Sequence, residues 1–156
     1  MKIVLLVIGK TNQQYIIDGI NDYSKRLKYY ANFEMIELPA IKSKNKNKEQ
    51  IKIDEGARIQ KYFKKDDYII LLDEKGDDFT SLNFSVKMRK WLLHNTKNIV
   101  FVIGGAYGHS DLLYKYSHYK LSLSKMTFSH QLIRLFFLEQ LYRSFTIINN
   151  HPYHNQ

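Results

Sequence analysis

Cysteine is absent from these 156 residues, which excludes a disulfide framework, thiolate metal sites and a cysteine nucleophile. The chain also lacks a long apolar run: no stretch approaches the roughly 18–20 apolar residues that a bilayer-crossing helix needs. The opening Met1-Lys2-Ile3-Val4-Leu5-Leu6-Val7-Ile8-Gly9-Lys10 has the lysine and short apolar core of a secretory leader. It lacks the small-residue cleavage site, however, and a polar amphipathic segment follows. The expectation is a soluble, cytoplasmic protein that engages no membrane. Nucleotide signatures are missing too. Gly9-Lys10-Thr11 looks like the end of a phosphate-binding loop, but the earlier glycine of that motif is replaced by Val4, and without it the backbone cannot wrap a phosphate. The first strand does not lead into G-x-G-x-x-G either, so the dinucleotide fingerprint is absent. None of the six histidines (His94, His109, His118, His130, His151, His154) shows the paired spacing of a zinc helix, and no metal is expected.

Acidic residues are in deficit: 15 against 24 lysines and arginines, for a formal charge of +9. Such an excess concentrates polyanions near the surface and speeds their encounter, which makes nucleic acid the candidate partner. A solvated basic surface, reflecting a Lys- and Asn-rich genome, fits the same charge.

What is present alternates between strand and helix. Residues 2–8 are apolar after Lys2 and partly β-branched, as in a strand buried on both faces. Ile16, Ile20, Tyr23, Leu27 and Tyr30 recur at helical spacing, which predicts a helix over about Asn12 to Tyr30. Phe33 to Leu38 reads as a strand ended by Pro39. The segment 42–52, KSKNKNKEQIK, holds five lysines and one glutamate and reads as an exposed loop leading into a helix that reaches about Lys65. Tyr68 to Asp73 is a strand, and Asp73 to Thr80 a turn-rich link containing Gly76. A helix capped by Thr80 or Ser81 then carries Leu82, Val86 and Leu93. Asn98 to Ile103 is a strand, Ser110 to Tyr116 a short helix, Tyr119 to Leu123 a strand, and Phe128 to Ile148 the last helix. With neither repeat nor linker, this predicts one α/β domain over 1–156: a mainly parallel sheet with helices on both faces. The last helix is apolar over more than one stripe (Leu132, Ile133, Leu135, Phe136, Phe137, Leu138, Leu141, Phe145, Ile147, Ile148). It must therefore be covered on more than one side, and a second copy of the chain is the expected cover, with a merely central helix as the alternative.

Two strand ends stand out as ligand sites. Gly104-Gly105-Ala106-Tyr107-Gly108 follows an apolar strand directly, and open parallel sheets bind ligands outside the carboxyl ends of their strands. An ordinary tight turn would look the same. Leu121 to Phe128 (LSLSKMTF) is rich in small hydroxyls and opens onto the last helix, whose free N–H groups can hold a polar ligand. A plain N-cap by Ser129 or Thr127 is the alternative. The tail His151-Pro152-Tyr153-His154-Asn155-Gln156 is either a disordered end or a flap that completes a site.

The run KLSLSKMTFSHQLIRLFFLEQLYRSFTIINNHPYH, with FVIGGAYG before it, resembles the bacterial large-subunit rRNA pseudouridine-N3 methyltransferase family of the SPOUT superfamily. The likeness spans the chain, including the opening KIVLLVIGK, the LLDEKG turn and the HPYH ending. It implies a homodimer with a C-terminal trefoil knot (an α/β knot) and S-adenosylmethionine as the methyl donor. By motif, the donor's binding residues would be Leu72, Gly104, Gly105, Gly108, Leu123, Ser124, Lys125, Met126, Thr127 and Phe128. The implied substrate is a pseudouridine in the intersubunit-bridge hairpin (helix 69) of 23S rRNA, met on the assembled ribosome. Two departures are visible: Ser129 stands where the family has proline, and the chain ends Asn155-Gln156 where a basic residue is usual.

Methyl transfer from a sulfonium is an in-line displacement in which the protein chiefly aligns the reacting atoms. Because N3 of pseudouridine bears a proton, a base or anion stabiliser would add about 10²–10⁴-fold. His154 and His130 are the candidates for that role, with Arg143 and Tyr153 as phosphate or base contacts; the alternative is that His130 and Arg143 are ordinary helix-surface residues. A SPOUT enzyme acting on transfer RNA and a non-catalytic ribosome-binding module are the competing readings. The HPYH tail argues against the first and the intact glycines against the second.

Overall fold

The structure, a computed structural model, describes residues 1–42, 44–94 and 97–155. Ser43 of the lysine-rich segment and the terminal Gln156 lie outside the described residues. Five strands, β1 (Lys2–Ile8), β2 (Phe33–Leu38), β3 (Tyr68–Asp78), β4 (Asn98–Ile103) and β5 (Tyr119–Ser122), alternate with five helices. The helices are α1 (Gln14–Leu27), α2 (Lys48–Gln60), α3 (Ser81–Leu93), α4 (Asp111–Tyr116) and α5 (Leu132–Ile148). Every strand pairing is parallel, in the order β2-β1-β4-β3-β5.

The central strands β1 and β4 are apolar after their first residues, Lys2 and Asn98, because side chains alternate between two covered faces. Ile3, Leu5, Val7, Ile99 and Phe101 point into one core, together with residues of α1, α3 and α5. Val4, Leu6, Ile8, Val100 and Val102 point into the other, under α2 and α4. The α/β sheet with helices on both faces is as expected.

Several boundaries differ. The lysine-rich loop stops at Asn47, whose side chain accepts the Gln50 amide and caps α2, and α2 ends at Gln60 rather than near Lys65. The link after Asp73 is not a free turn: β3 runs on to Asp78, bulging between Leu72 and Asp77 to keep its pairing with β5. In α3 the inward stripe is Phe84, Met88 and Trp91, while Val86 and Leu93 are exposed. Both stripes have helical spacing, and the one with two large aromatics buries more area. The breadth of α5 is largely covered within the chain, since α1 and α3 flank it on the sheet. Phe136 nevertheless stays 39% exposed, stacked edge to face on Phe128.

Candidate active site

The bulge of β3 and the ends of β4 and β5 surround a cavity of about 750 Å³ on the carboxyl edge of the sheet. The bulge of β3 contributes Leu72, Asp73 and Glu74, the loop after β4 contributes residues 104–109, and the segment after β5 contributes Leu123, Ser124 and residues 126–130. Nine of the ten residues singled out as donor-binding line it. Lys125 does not.

Local chemistry fixes each loop. Gly108 has φ +84°, a left-handed conformation that suits glycine, and its amide returns to the Gly105 carbonyl at 3.2 Å. After β5, the Ser124 hydroxyl accepts the Met126 amide at 3.0 Å, and the Thr127 hydroxyl donates to Glu74 at 3.1 Å, tying the third loop to the first. Ser129, in the place of the family's proline, accepts the Leu132 amide and caps the start of α5.

His109, buried at the floor of this cavity, gave no signal in the sequence. Its Nε2 donates to the Leu72 carbonyl at 2.7 Å, which fixes the tautomer and leaves Nδ1 as an acceptor. Among the described residues that buried Nδ1 has no partner. Burial pushes the imidazole pKa below 6.5, against the pull of the Leu72 carbonyl and Asp73. Because the folded pKa is depressed, the unfolded chain binds more protons below about pH 6.5, and stability falls as pH drops through that window. Replacing His109 by leucine should flatten the fall by up to about 1.4 kcal/mol per pH unit. Thermal midpoints recorded from about pH 7.5 to about pH 5.5 would show it; an unchanged slope would mean that His109 does not titrate on unfolding.

His130 opens onto the same cavity. Its pKa is lowered by burial and by the neighbouring Arg134 charge, so the imidazole is neutral near pH 7 and free to accept a proton. Arg134 also went unnoticed in the sequence, hidden inside an apolar helix. It is fully buried. Its guanidinium donates to the carbonyls of Ile8, Gly9 and His130 and to the Thr11 hydroxyl, at 2.7–3.0 Å, with Glu37 at 3.5 Å. One side chain thus fastens the end of β1 to the start of α5.

The remaining candidates gather elsewhere. Arg143 donates to His154 Nδ1 at 3.1 Å and pairs with Glu139, and its guanidinium lies over the Tyr153 ring at 4.8 Å. An arginine is always a donor, so His154 Nδ1 accepts here and the ring proton sits on Nε2. The Tyr153 hydroxyl donates to Glu139 at 2.9 Å and lies 3.1 Å from the Tyr23 hydroxyl. Burial and these contacts push its pKa far up and keep it a neutral phenol. The tail is ordered rather than loose. Asn150 adopts φ +56°, and the amides of Asn150 and His151 return to the carbonyls of Ile147 and Thr146, a Schellman turn that folds the tail back on α5. None of Arg143, Tyr153 and His154 lines the cavity. Along the helix, His130 and Arg143 are roughly 20 Å apart at 1.5 Å per residue. Within one chain, the sequence candidates therefore form two separate clusters at opposite ends of α5.

No group of three potential ligands that could hold a metal is found among the described residues, and no described helix is long and apolar enough to cross a membrane.

A family model described as "Predicted SPOUT methyltransferase" matches residues 1–154. The ribosomal RNA large subunit methyltransferase H of Parabacteroides distasonis is 52% identical, with 100% of both chains covered. The protein of the same description from Flavobacterium johnsoniae is 48% identical, again over 100% of both. Among solved structures, a probable methylase family protein from Haemophilus influenzae Rd KW20 aligns with a TM-score of 0.51 at 15% identity, covering 99% of this chain and 70% of that one. That last likeness is one of fold alone.

Proposed function

The chain belongs to the SPOUT methyltransferase family, and from that premise we propose that it methylates N3 of a pseudouridine in large-subunit rRNA, with S-adenosylmethionine as donor. The observation that carries this reading is the cavity ringed by the bulge of β3 and the ends of β4 and β5. The residues there fit such a donor. Leu72, Ile103, Leu121, Leu123 and Ile133 offer apolar walls to an adenine, the Asp73 and Glu74 carboxylates attract a sulfonium, and the backbone of the two later loops offers polar contacts. When bound, the donor supplies a methyl group on a good leaving group. The chain's task is then to orient the base and to handle its N3 proton. Neutral His130, at the cavity wall, is placed to receive that proton.

The second cluster enters through a partner. Arg143, Tyr153 and His154 lie too far from the cavity of their own chain to share its chemistry. A two-fold dimer with antiparallel α5 helices would bring one chain's tail to the other's cavity. Phe128 and Phe136, each more than a third exposed, give such a partner an apolar contact. In that assembly Arg143 neutralises phosphate or the developing base anion, His154 donates from Nε2, and Tyr153 stacks. The exposed Lys42 and Lys44 would add sequence-independent contacts to rRNA phosphates. The reading extends to a single-domain, knotted, cytoplasmic homodimer working on the assembled ribosome at the intersubunit-bridge hairpin.

The test uses tritiated S-adenosylmethionine with assembled ribosomes or protein-free rRNA from a methylation-deficient strain. Label should enter large-subunit rRNA only in ribosomes. Donor binding without label in any rRNA would turn the assignment toward another RNA.

A further inference from the structure

A second cavity, of about 560 Å³, adjoins the first on the carboxyl edge of the sheet, at the ends of β1 and β2. The two share Gly105, Ala106, Tyr107 and His130 as a common wall. At the back of this second cavity stands Glu55 of α2, only 7% exposed. It accepts the Gly105 amide, and both of its oxygens stand so close behind the loop that a Cβ on Gly105 would meet them at 2.3 and 2.8 Å. Among the described residues no cation lies within ion-pair distance of it. A carboxylate offers about four acceptor sites. One amide fills one of them, and a buried anion with spare acceptors and no cation favours a ligand that brings an N–H.

This inference rests on the function proposed above. We propose that Glu55 distinguishes pseudouridine from uridine by accepting the N1–H of a base seated in the second cavity. In pseudouridine the glycosidic bond is at C5, so N1 keeps a proton. N1–H and N3–H flank the C2 carbonyl, so a base that gives N1–H to Glu55 turns N3 toward the wall shared with the first cavity, where His130 stands. The ring of Tyr107, with the Lys48 ammonium 5.7 Å from its centroid, offers the base a stacking face. Uridine has its ribose on N1 and a C5–H in the matching position. It would leave the buried carboxylate without a donor, a loss of about 10²-fold for a charge-assisted hydrogen bond.

The experiment compares single-turnover methylation of ribosomes carrying either pseudouridine or uridine at the target, with donor affinity measured by titration calorimetry. Wild-type protein should prefer pseudouridine by about 10²-fold. Glu55→Gln keeps an acceptor and should keep most of that preference. Glu55→Met keeps the length without the acceptor and should reduce it to a few-fold, with donor affinity changed by no more than about threefold. A folded Glu55→Met variant that retains the wild-type preference overturns the proposal. So does one that loses donor affinity with its preference intact, since Glu55 would then only prop the glycine loop. Free nucleosides provide a measurement on the wild-type protein alone: competition by pseudouridine and not by uridine supports the role, and equal competition overturns it. Wild-type protein that labels neither ribosome counts against the rRNA assignment, whereas equal labelling of both counts against Glu55 alone.

Discussion

Substituting methionine for Arg134 is expected to destabilise the protein by about 3–5 kcal/mol, the usual cost of removing one partner from a buried charged network. Methionine matches the length and fills the space, so cavity formation contributes little. The loss comes from the carbonyls of Ile8, Gly9 and His130, which give up a donor carried on a fully buried side chain. For a chain of this size the thermal midpoint should fall by roughly 6–20 °C. Arg134→Lys should not rescue it, because a single ammonium cannot span acceptors arranged around a planar fork. Donor affinity should fall as well, since the network holds His130 and the start of α5 against the cavity. Thermal and chemical denaturation of the three proteins would measure this. A loss below about 1 kcal/mol would place the fastening of β1 to α5 elsewhere.

Two inactive variants should restore activity when combined. Gly104→Val fills the loop at the donor cavity, where a Cβ would already lie 3.1 Å from the Gly108 carbonyl. Arg143→Ala removes the guanidinium that holds His154 and covers Tyr153. Each alone should lower the single-turnover rate by about 10²-fold or more. Unfolding and refolding the two together yields mixed dimers in which one site pairs an intact cavity with an intact tail. About a quarter of wild-type activity is expected from random pairing in a two-fold dimer. If the tail served its own chain, every site would keep one defect and the mixture would stay inactive. Donor affinity of Arg143→Ala should be near wild type, which separates a catalytic defect from a folding one.

The periodicities that fix elements are local, and they were readable from the residues. Six residues of β1 and five of β4 alternate into two apolar cores, and a strand buried on both faces reads as a continuous apolar run. The Gly104–Gly108 loop was legible because tight backbone turns require glycine. The HPYH tail and the LSLSKMTF segment were legible through family resemblance, which spacing alone does not supply.

Other features depend on which distant segments meet. Arg134 sits in an apolar helix and reads as a stray surface charge until the end of β1 and the residues after it present two carbonyls and a hydroxyl to it. Glu55 reads as the outer face of a lysine-rich helix until the Gly105 amide arrives fifty residues later in the chain. His109 follows a glycine turn and becomes a buried strut only because β3, at the start of its bulge, sets the Leu72 carbonyl beside it. The separation of His130 from Arg143 and His154 is likewise invisible to motif reading, which puts all three in one continuous run. By itself the sequence determined the parallel α/β sheet, the glycine loop and the basic surface, because hydrophobic period, turn chemistry and charge belong to neighbouring residues. Only the tertiary structure decided which buried polar groups are satisfied, and by whom, because that depends on strand order and on the crossing of α5 over the end of β1.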